Sequence, residues 1–333
     1  MSNFDPQDTP LLEVNGLTVS LSTSRGYLEA VRDVSFSLAS GEVLGLVGES
    51  GSGKSITMRA IMGLLPLKAR ITGSVRFAGR ELIGLPDRAL RPIRGKDITM
   101  IFQDPMTALN PVLTVGDQLG ECIRIHQPHL TRSAVTERSI ELLSMVAIPM
   151  PAERLTQYPH EFSGGMRQRV TIAIAMANSP KLIIADEPTT ALDVTVQAQI
   201  LEVLDGLRRD HGVSIVLITH DLGVVAGMAN RVAVMYAGRV VERGTTENIF
   251  DNPGHPYTSG LIDSLPLLDS QTEHLRAIPG TAPSLANRPS GCPFHPRCRF
   301  SQAICITEEP QLRPSDAGMS ACHFTGKLES IAP

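Results

Sequence analysis

The sequence holds no uninterrupted apolar run near the roughly 18 residues that a membrane-crossing helix needs. Its first stretch, MSNFDPQDTP, lacks the cationic start and apolar core of a secretory signal. Both absences lead to the expectation of a soluble or peripheral chain whose thiols meet a reducing compartment. An excess of basic charge is missing too: 30 Lys and Arg stand against 34 Asp and Glu, for a formal net charge of −4. A dedicated nucleic-acid binder usually carries a basic stripe, so no nucleic-acid partner is expected. There is no internal repeat, no low-complexity tract and no sustained heptad pattern. Cysteine is scarce, five in all, and no two form the C-x₂-C pair of a zinc ribbon.

What is present is a chain of 333 residues, 42% hydrophobic, enough for a sizeable core and for two domains at about 150 residues each. Over residues 11–250, β-rich runs alternate with helical stretches, the pattern of an α/β domain. Residues 43–47, 98–102, 182–185 and 214–218 read as short buried strands. Each ends where polar or glycine residues begin, so functional groups emerge at strand C-terminal ends, where open α/β sheets place their ligands. Between Pro111 and Pro159 the β signal fades, and residues 134–146 put apolar side chains at helical spacing, which predicts a helical insertion. Residues 251–333 carry 11 of the 24 prolines. Proline breaks helices and removes ladder donors, so an irregular tail is expected there.

Gly48-Glu49-Ser50-Gly51-Ser52-Gly53-Lys54-Ser55 fits the P-loop pattern G-x-x-x-x-G-K-[ST], with the apolar run VLGLV before it and a helical stretch after it. The glycines let backbone N–H groups converge on phosphate at a helix N-terminus. Lys54 adds a point charge for the β- and γ-phosphates, and the Ser55 hydroxyl suits Mg²⁺. Taken alone, the motif says only that a nucleotide phosphate is bound. Residues 181–185 (KLIIA) read as a partner strand ending in Asp186 and Glu187. A strand end with two acids is often just solvated, but a P-loop needs a carboxylate for its metal. Asp186 is the candidate for Mg²⁺, and Glu187 the candidate to orient and polarise the attacking water. Ser163-Gly164-Gly165 opens another helical run. In isolation it is an ordinary N-cap; here it is a second anion-binding helix start in a chain that needs one per nucleotide.

With its flanks, Phe162-Ser163-Gly164-Gly165-Met166-Arg167-Gln168-Arg169 resembles the ABC ATPase signature L-S-G-G-Q. The resemblance implies an α/β P-loop NTPase (RecA-like) core with an N-terminal antiparallel β subdomain, a helical insertion and an irregular Cys-containing C-terminal extension. It implies an ABC ATPase domain over 11–250, with its helical subdomain at about 111–178, and a C-terminal domain over 251–333. It also implies that Ser163, Gly164 and Gly165 close over ATP held by a second cassette. Three further elements follow the family's order. Gln103 resembles the Q-loop glutamine, which touches Mg²⁺ and the water. Ala191-Leu192-Asp193 resembles the D-loop, which places Asp193 at a dimer interface. His220 resembles the switch histidine at the γ-phosphate. Phe162 and Met166 depart from the usual Leu and Gln. No aromatic occupies the usual adenine-stacking position, which aligns with Leu21; Tyr27 is the nearby substitute.

Flanking segments narrow the resemblance. Tyr158-Pro159-His160-Glu161 resembles importers rather than exporters, and Phe102-Gln103-Asp104-Pro105-Met106-Thr107-Ala108-Leu109-Asn110-Pro111 and Asp251-Asn252-Pro253-Gly254-His255-Pro256-Tyr257-Thr258 are similar to the dipeptide/oligopeptide/nickel importer family. So is Gly291-Cys292-Pro293-Phe294-His295-Pro296-Arg297-Cys298. That family implies an ATPase at the cytoplasmic face of a bacterial inner membrane. Its partners would be two transmembrane permeases and a second ABC ATPase subunit, with an extracytoplasmic solute-binding protein reached indirectly. Peptides are the implied cargo, with nickel or another small solute as the alternative. A non-transport ABC ATPase is disfavoured because it would need a coiled-coil insertion or two cassettes in one chain, and a metabolic P-loop kinase would lack the signature.

Cys122 reads as a small buried hydrophobe. Cys292, Cys298, Cys305 and Cys322 are spaced C-x₅-C, C-x₆-C and C-x₁₆-C. Four thiolates suit Zn²⁺ or an iron–sulfur cluster; the resemblance points to [4Fe–4S]. His295 and His323 are expected at the surface. Metal ligation is expected to stand in for the core this tail lacks. Its distance in sequence from Lys54 predicts that loosening it leaves nucleotide binding intact.

Overall fold

The computed structural model describes residues 9–24, 26–190, 192–265 and 278–326. Ala191 of the expected D-loop lies outside the described residues. The chain divides into two compact units, one formed by residues 1–39, 43–83 and 219–333 and the other by residues 40–42 and 84–218. In chain order the strands are β1 (Leu12–Thr23), β2 (Gly26–Leu38), β3 (Val43–Val47), β4 (Arg70–Phe77), β5 (Arg80–Glu81) and β6 (Ile98–Ile101). They continue as β7 (Leu182–Asp186), β8 (Ser214–Thr219), β9 (Arg231–Tyr236), β10 (Arg239–Thr245), β11 (Arg313–Ser315) and β12 (Gly318–Ser320).

In the first unit an antiparallel sheet has the order β2-β1-β4-β5. Leu12, Val14, Leu17 and Val19 of β1 are buried, with less buried positions between them, as expected of strands with one face on the core. The same unit carries the strand run β11-β12-β10-β9-β3, in which β3 and β9 are parallel and the other pairs antiparallel. All five residues of β3 are buried. That is why VLGLV reads as an unbroken apolar run: a parallel strand is covered on both faces. A Cβ on Gly45 would come within 2.7 Å of the Val225 side chain, so glycine lets the helix Leu222–Met228 lie close to this strand.

The tail is less irregular than its prolines predict. The helix Pro256–Asp263 opens with proline at its first turn, where a missing N–H costs nothing. The hairpin β11–β12 adds to β10 in the register Glu242↔Ser320 and Arg243↔Met319. Nor does the tail lack a core. Tyr257, Cys292, Phe294, Cys305 and Ala317 are buried in one apolar cluster with Val47, Val234, Tyr236 and Ile249. The aromatic rings of Tyr236, Tyr257 and Phe294 meet at centroid distances of 4.6, 5.3 and 5.4 Å.

In the second unit β8, β7 and β6 run parallel in that order. β7 extends through Asp186, so the first carboxylate belongs to the strand and the second leaves it. The longer helices of this unit are Val115–His126, Arg132–Met145, Gly164–Met176 and Val194–His211. Each begins at a side chain that accepts a backbone N–H: Thr114, Thr131, Ser163 and Asp193. Among the described residues no helix is long and apolar enough to cross a membrane.

Candidate nucleotide site

The phosphate cradle of the first unit follows β3 directly. Gly48, Gly51 and Gly53 have φ of 154°, 79° and 104°. Gly48 is also a close approach: a Cβ there would stand 2.2 Å from the Met235 carbonyl oxygen. Glycine is thus required by sterics as well as by φ. The helix Lys54–Ile61 starts at the end of this turn, so its first N–H groups face the loop. Lys54 is 5% exposed, and its ammonium donates to the Gly48 and Glu49 carbonyls at 2.6 and 3.0 Å. Among the described residues the buried Ser52 hydroxyl has no hydrogen-bond partner. His220 is exposed one residue beyond β8, and Asp221 caps the next helix by accepting the Gly223 N–H at 2.8 Å.

The second unit brings Gln103 to Glu187, the residue that follows Asp186. Asp186 is 2% exposed at the end of β7. Glu187 follows with φ 49°, in the left-handed region that a non-glycine residue rarely adopts, and its N–H donates to the Ile218 carbonyl at 2.9 Å. Strain of this kind persists where surroundings over-determine it. One Glu187 oxygen, Oε2, accepts from Gln103 Nε2 at 2.9 Å and from the Thr190 hydroxyl at 2.9 Å. Thr190 is a residue the sequence reasoning missed; a threonine three positions after an acid gives no signal of its own.

Ser163 caps the helix Gly164–Met176, accepting from the Met166 N–H at 3.3 Å. A Cβ on Gly165 would meet Val196 Cγ1 at 2.5 Å, and one on Gly164 would meet Leu192 Cδ2 at 3.5 Å. Gly165 thus serves close packing against the helix Val194–His211. Asp193 accepts the Val196 N–H at 2.9 Å and so starts the helix Val194–His211. Phe162, in the usual leucine position, is buried as leucine would be. Tyr27 is half exposed, and the Arg70 guanidinium lies 3.7 Å from its ring centroid. Leu21 pairs with Leu28 across the β1–β2 ladder.

Cys292, Cys298, Cys305 and Cys322 line one cavity of about 20 Å³ together with His295 and His323. Burial, with a smaller contribution from neighbouring cysteines, pushes the Cys292 thiol up to about 12 and the Cys322 thiol up to about 11. Among the described residues, however, no three His, Cys, Asp or Glu are grouped closely enough to hold a metal ion. His295 Nδ1 lies 2.9 Å from the Cys292 carbonyl, and His323 Nε2 lies 2.9 Å from that of Glu308. No local pattern indicates that this region also reaches the cradle. Arg297 grips the Glu49 carboxylate, and the Tyr257 hydroxyl accepts the Glu49 N–H at 2.8 Å.

Two family descriptions match the chain: "ABC transporter" over residues 31–190 and "Oligopeptide/dipeptide transporter, C-terminal region" over residues 241–305. It is 52% identical over 305 residues to the oligopeptide transport ATP-binding protein OppD of Haemophilus influenzae, covering 92% of this chain and 93% of that protein. It is 54% identical over 297 residues to the dipeptide transport ATP-binding protein DppD of Bacillus subtilis, covering 89% of this chain and 88% of that one. Among solved structures, a dimeric post-hydrolysis ATP-binding cassette bound to ADP and Pi matches with a TM-score of 0.64 and 28% identity, over 71% of this chain and 98% of that one.

Proposed function

The chain belongs to the ABC transporter family, and from that membership we propose that it is the ATP-hydrolysing subunit of an importer of oligopeptides or dipeptides. Relatives that are about half identical over nine-tenths of the chain support the cargo class. The observation that carries the chemistry is Glu187, held by Gln103 and Thr190 one residue beyond the buried Asp186.

In this reading Gly48, Glu49, Ser50, Gly51, Ser52 and Gly53 wrap the phosphates, and the Lys54 ammonium moves from loop carbonyls to the β- and γ-oxygens. Ser55, Gln103 and Asp186 supply the hard oxygen donors that Mg²⁺ prefers, and the ion when bound neutralises charge building on the phosphates. Glu187 takes a proton from the attacking water as its oxygen bonds to the γ-phosphorus. The bond from that phosphorus to the bridging oxygen breaks, leaving ADP and phosphate. The hydrogen bonds from Gln103 and Thr190 to Oε2 hold the Glu187 carboxylate in one orientation. His220 donates to the γ-phosphate. Ser163, Gly164 and Gly165 close over ATP held by a second cassette, with Asp193 at the interface between the two.

The partners are two permeases and a second ATPase subunit, at the cytoplasmic face of a bacterial inner membrane. Cys292, Cys298, Cys305 and Cys322 are proposed as ligands of an iron–sulfur centre, supported by the cavity they share. Zn²⁺ held by the same four thiolates is the alternative. The deciding experiment is Glu187→Gln. It should bind MgATP within about twofold of the wild type while turnover falls by about a hundredfold or more. Hydrolysis at the wild-type rate would remove Glu187 from this role.

A further inference from the structure

Glu49 is the second residue of the P-loop, and it is held at both backbone and side chain by residues far along the chain. Its N–H donates to the Tyr257 hydroxyl at 2.8 Å. Its carboxylate accepts two hydrogen bonds from Arg297, Nη1 to Oε2 at 2.7 Å and Nη2 to Oε1 at 2.9 Å. This is a two-pronged guanidinium–carboxylate fit, which fixes orientation as well as charge. Arg297 is fastened on its other side: Nε donates to the Pro279 carbonyl at 2.8 Å, and Nη1 reaches the Tyr236 hydroxyl at 3.3 Å. With 7% of the Arg297 side chain and 28% of Glu49 exposed, the pair is shielded better than an ordinary surface ion pair.

The backbone that carries Arg297 is a single 3₁₀ turn, His295–Arg297, set between Cys292 and Cys298. Phe294, one residue before that turn, packs on Tyr236 and Tyr257. The cysteine-bearing segment and the phosphate loop are therefore joined by an ion pair, a hydrogen bond and an aromatic cluster.

A carboxylate inside a loop that receives polyphosphate opposes its own ligand, because like charges at close range weaken anion binding. We propose that Arg297 is a positioning residue for nucleotide binding: it neutralises and pins Glu49, and so lets the cysteine-bearing turn set the affinity of the P-loop for MgATP. The tail thus touches the phosphate loop directly, although the two lie far apart in sequence. The proposal rests on the reading of residues 48–55 as an ATP site and adds a controller to it.

The test is equilibrium binding of MgATP to the full chain, as isolated, for the wild type, R297Q, E49Q and the R297Q/E49Q double variant. R297Q should raise Kd about tenfold. In the E49Q background the same replacement should change Kd by less than about twofold, because no charge remains to be neutralised. A purely structural Arg297 would cause the same loss in both backgrounds, and that result would overturn the proposal, as would wild-type affinity in R297Q. R297K keeps the charge without the two-pronged fit and guards against a folding defect. It should fall between wild type and R297Q; affinity as poor as that of R297Q would sink the charge argument. A wild type that bound no MgATP at all would instead remove the P-loop reading itself.

Discussion

Lys54 is nearly buried, and its ammonium donates to two carbonyl oxygens of its own loop. Carbonyl dipoles hold an ammonium less well than anionic phosphate oxygens do, so the lysine is set to exchange partners when nucleotide arrives. Lys54→Ala should therefore weaken MgATP binding by about 1.5–3 kcal/mol, roughly tenfold to more than a hundredfold in Kd. Glu187→Gln and His220→Ala differ in kind, since both should spare binding and lose turnover. Calorimetric binding set beside ATPase rates separates the two classes; wild-type affinity in Lys54→Ala would dismiss the lysine's role. At this scale most of the site was legible, because a P-loop, two acids at a strand end and a Ser-Gly-Gly helix start are local patterns. What escaped was Arg297 on Glu49, a pair 248 positions apart. An ion pair between distant segments leaves no trace in local spacing, and Arg297 reads as one more surface cation between two prominent cysteines.

At the level of elements, the buried parallel strands were visible as apolar runs and ended within a residue of where the sequence placed them. The hairpin β11–β12 was not, for two reasons. Its strands have three residues each, too short to show a period of two, and Pro314 argues against a strand. Proline is tolerated there because β11 is the outermost strand of its run. Pairing with β10 depends on Gly244, where a Cβ would stand 1.9 Å from the Ala317 carbonyl oxygen. The tail is held further by Glu309, which bridges Arg32 and Arg239, and by buried Glu242, which accepts the Gly254 and His255 N–H groups. Gly244→Ala must push the hairpin away, at a cost of about 1–3 kcal/mol. Its expected signs are a lowered Tm and faster proteolysis near residues 313–320. Unchanged protease resistance there would show that the hairpin shifts without loosening.

For the whole molecule, the decisive fact is that one chain carries both a P-loop and a Ser-Gly-Gly helix start. If each ATP is held by the P-loop of one cassette and the signature of another, two differently damaged chains can repair one another. A Lys54→Ala chain retains its Ser163-Gly164-Gly165, and a Ser163→Arg chain retains its P-loop. Each variant by itself has two broken sites and should be inactive in the assembled transporter. In a mixed pair the intact P-loop of one faces the intact signature of the other, which restores one site of two. Equal mixing of a self-pairing chain makes half of all pairs mixed, so independent sites predict recovery to about a quarter of the wild-type ATPase rate. Zero activity in a mixture whose two variants share one assembly would overturn independent composite sites, whereas failure of the two variants to co-purify would show that this chain does not pair with itself. Its partner cassette would then be a different chain. Recovery in strictly monomeric material would instead break the composite-site reading, because a lone chain with a damaged P-loop or a damaged signature has no second copy to borrow from.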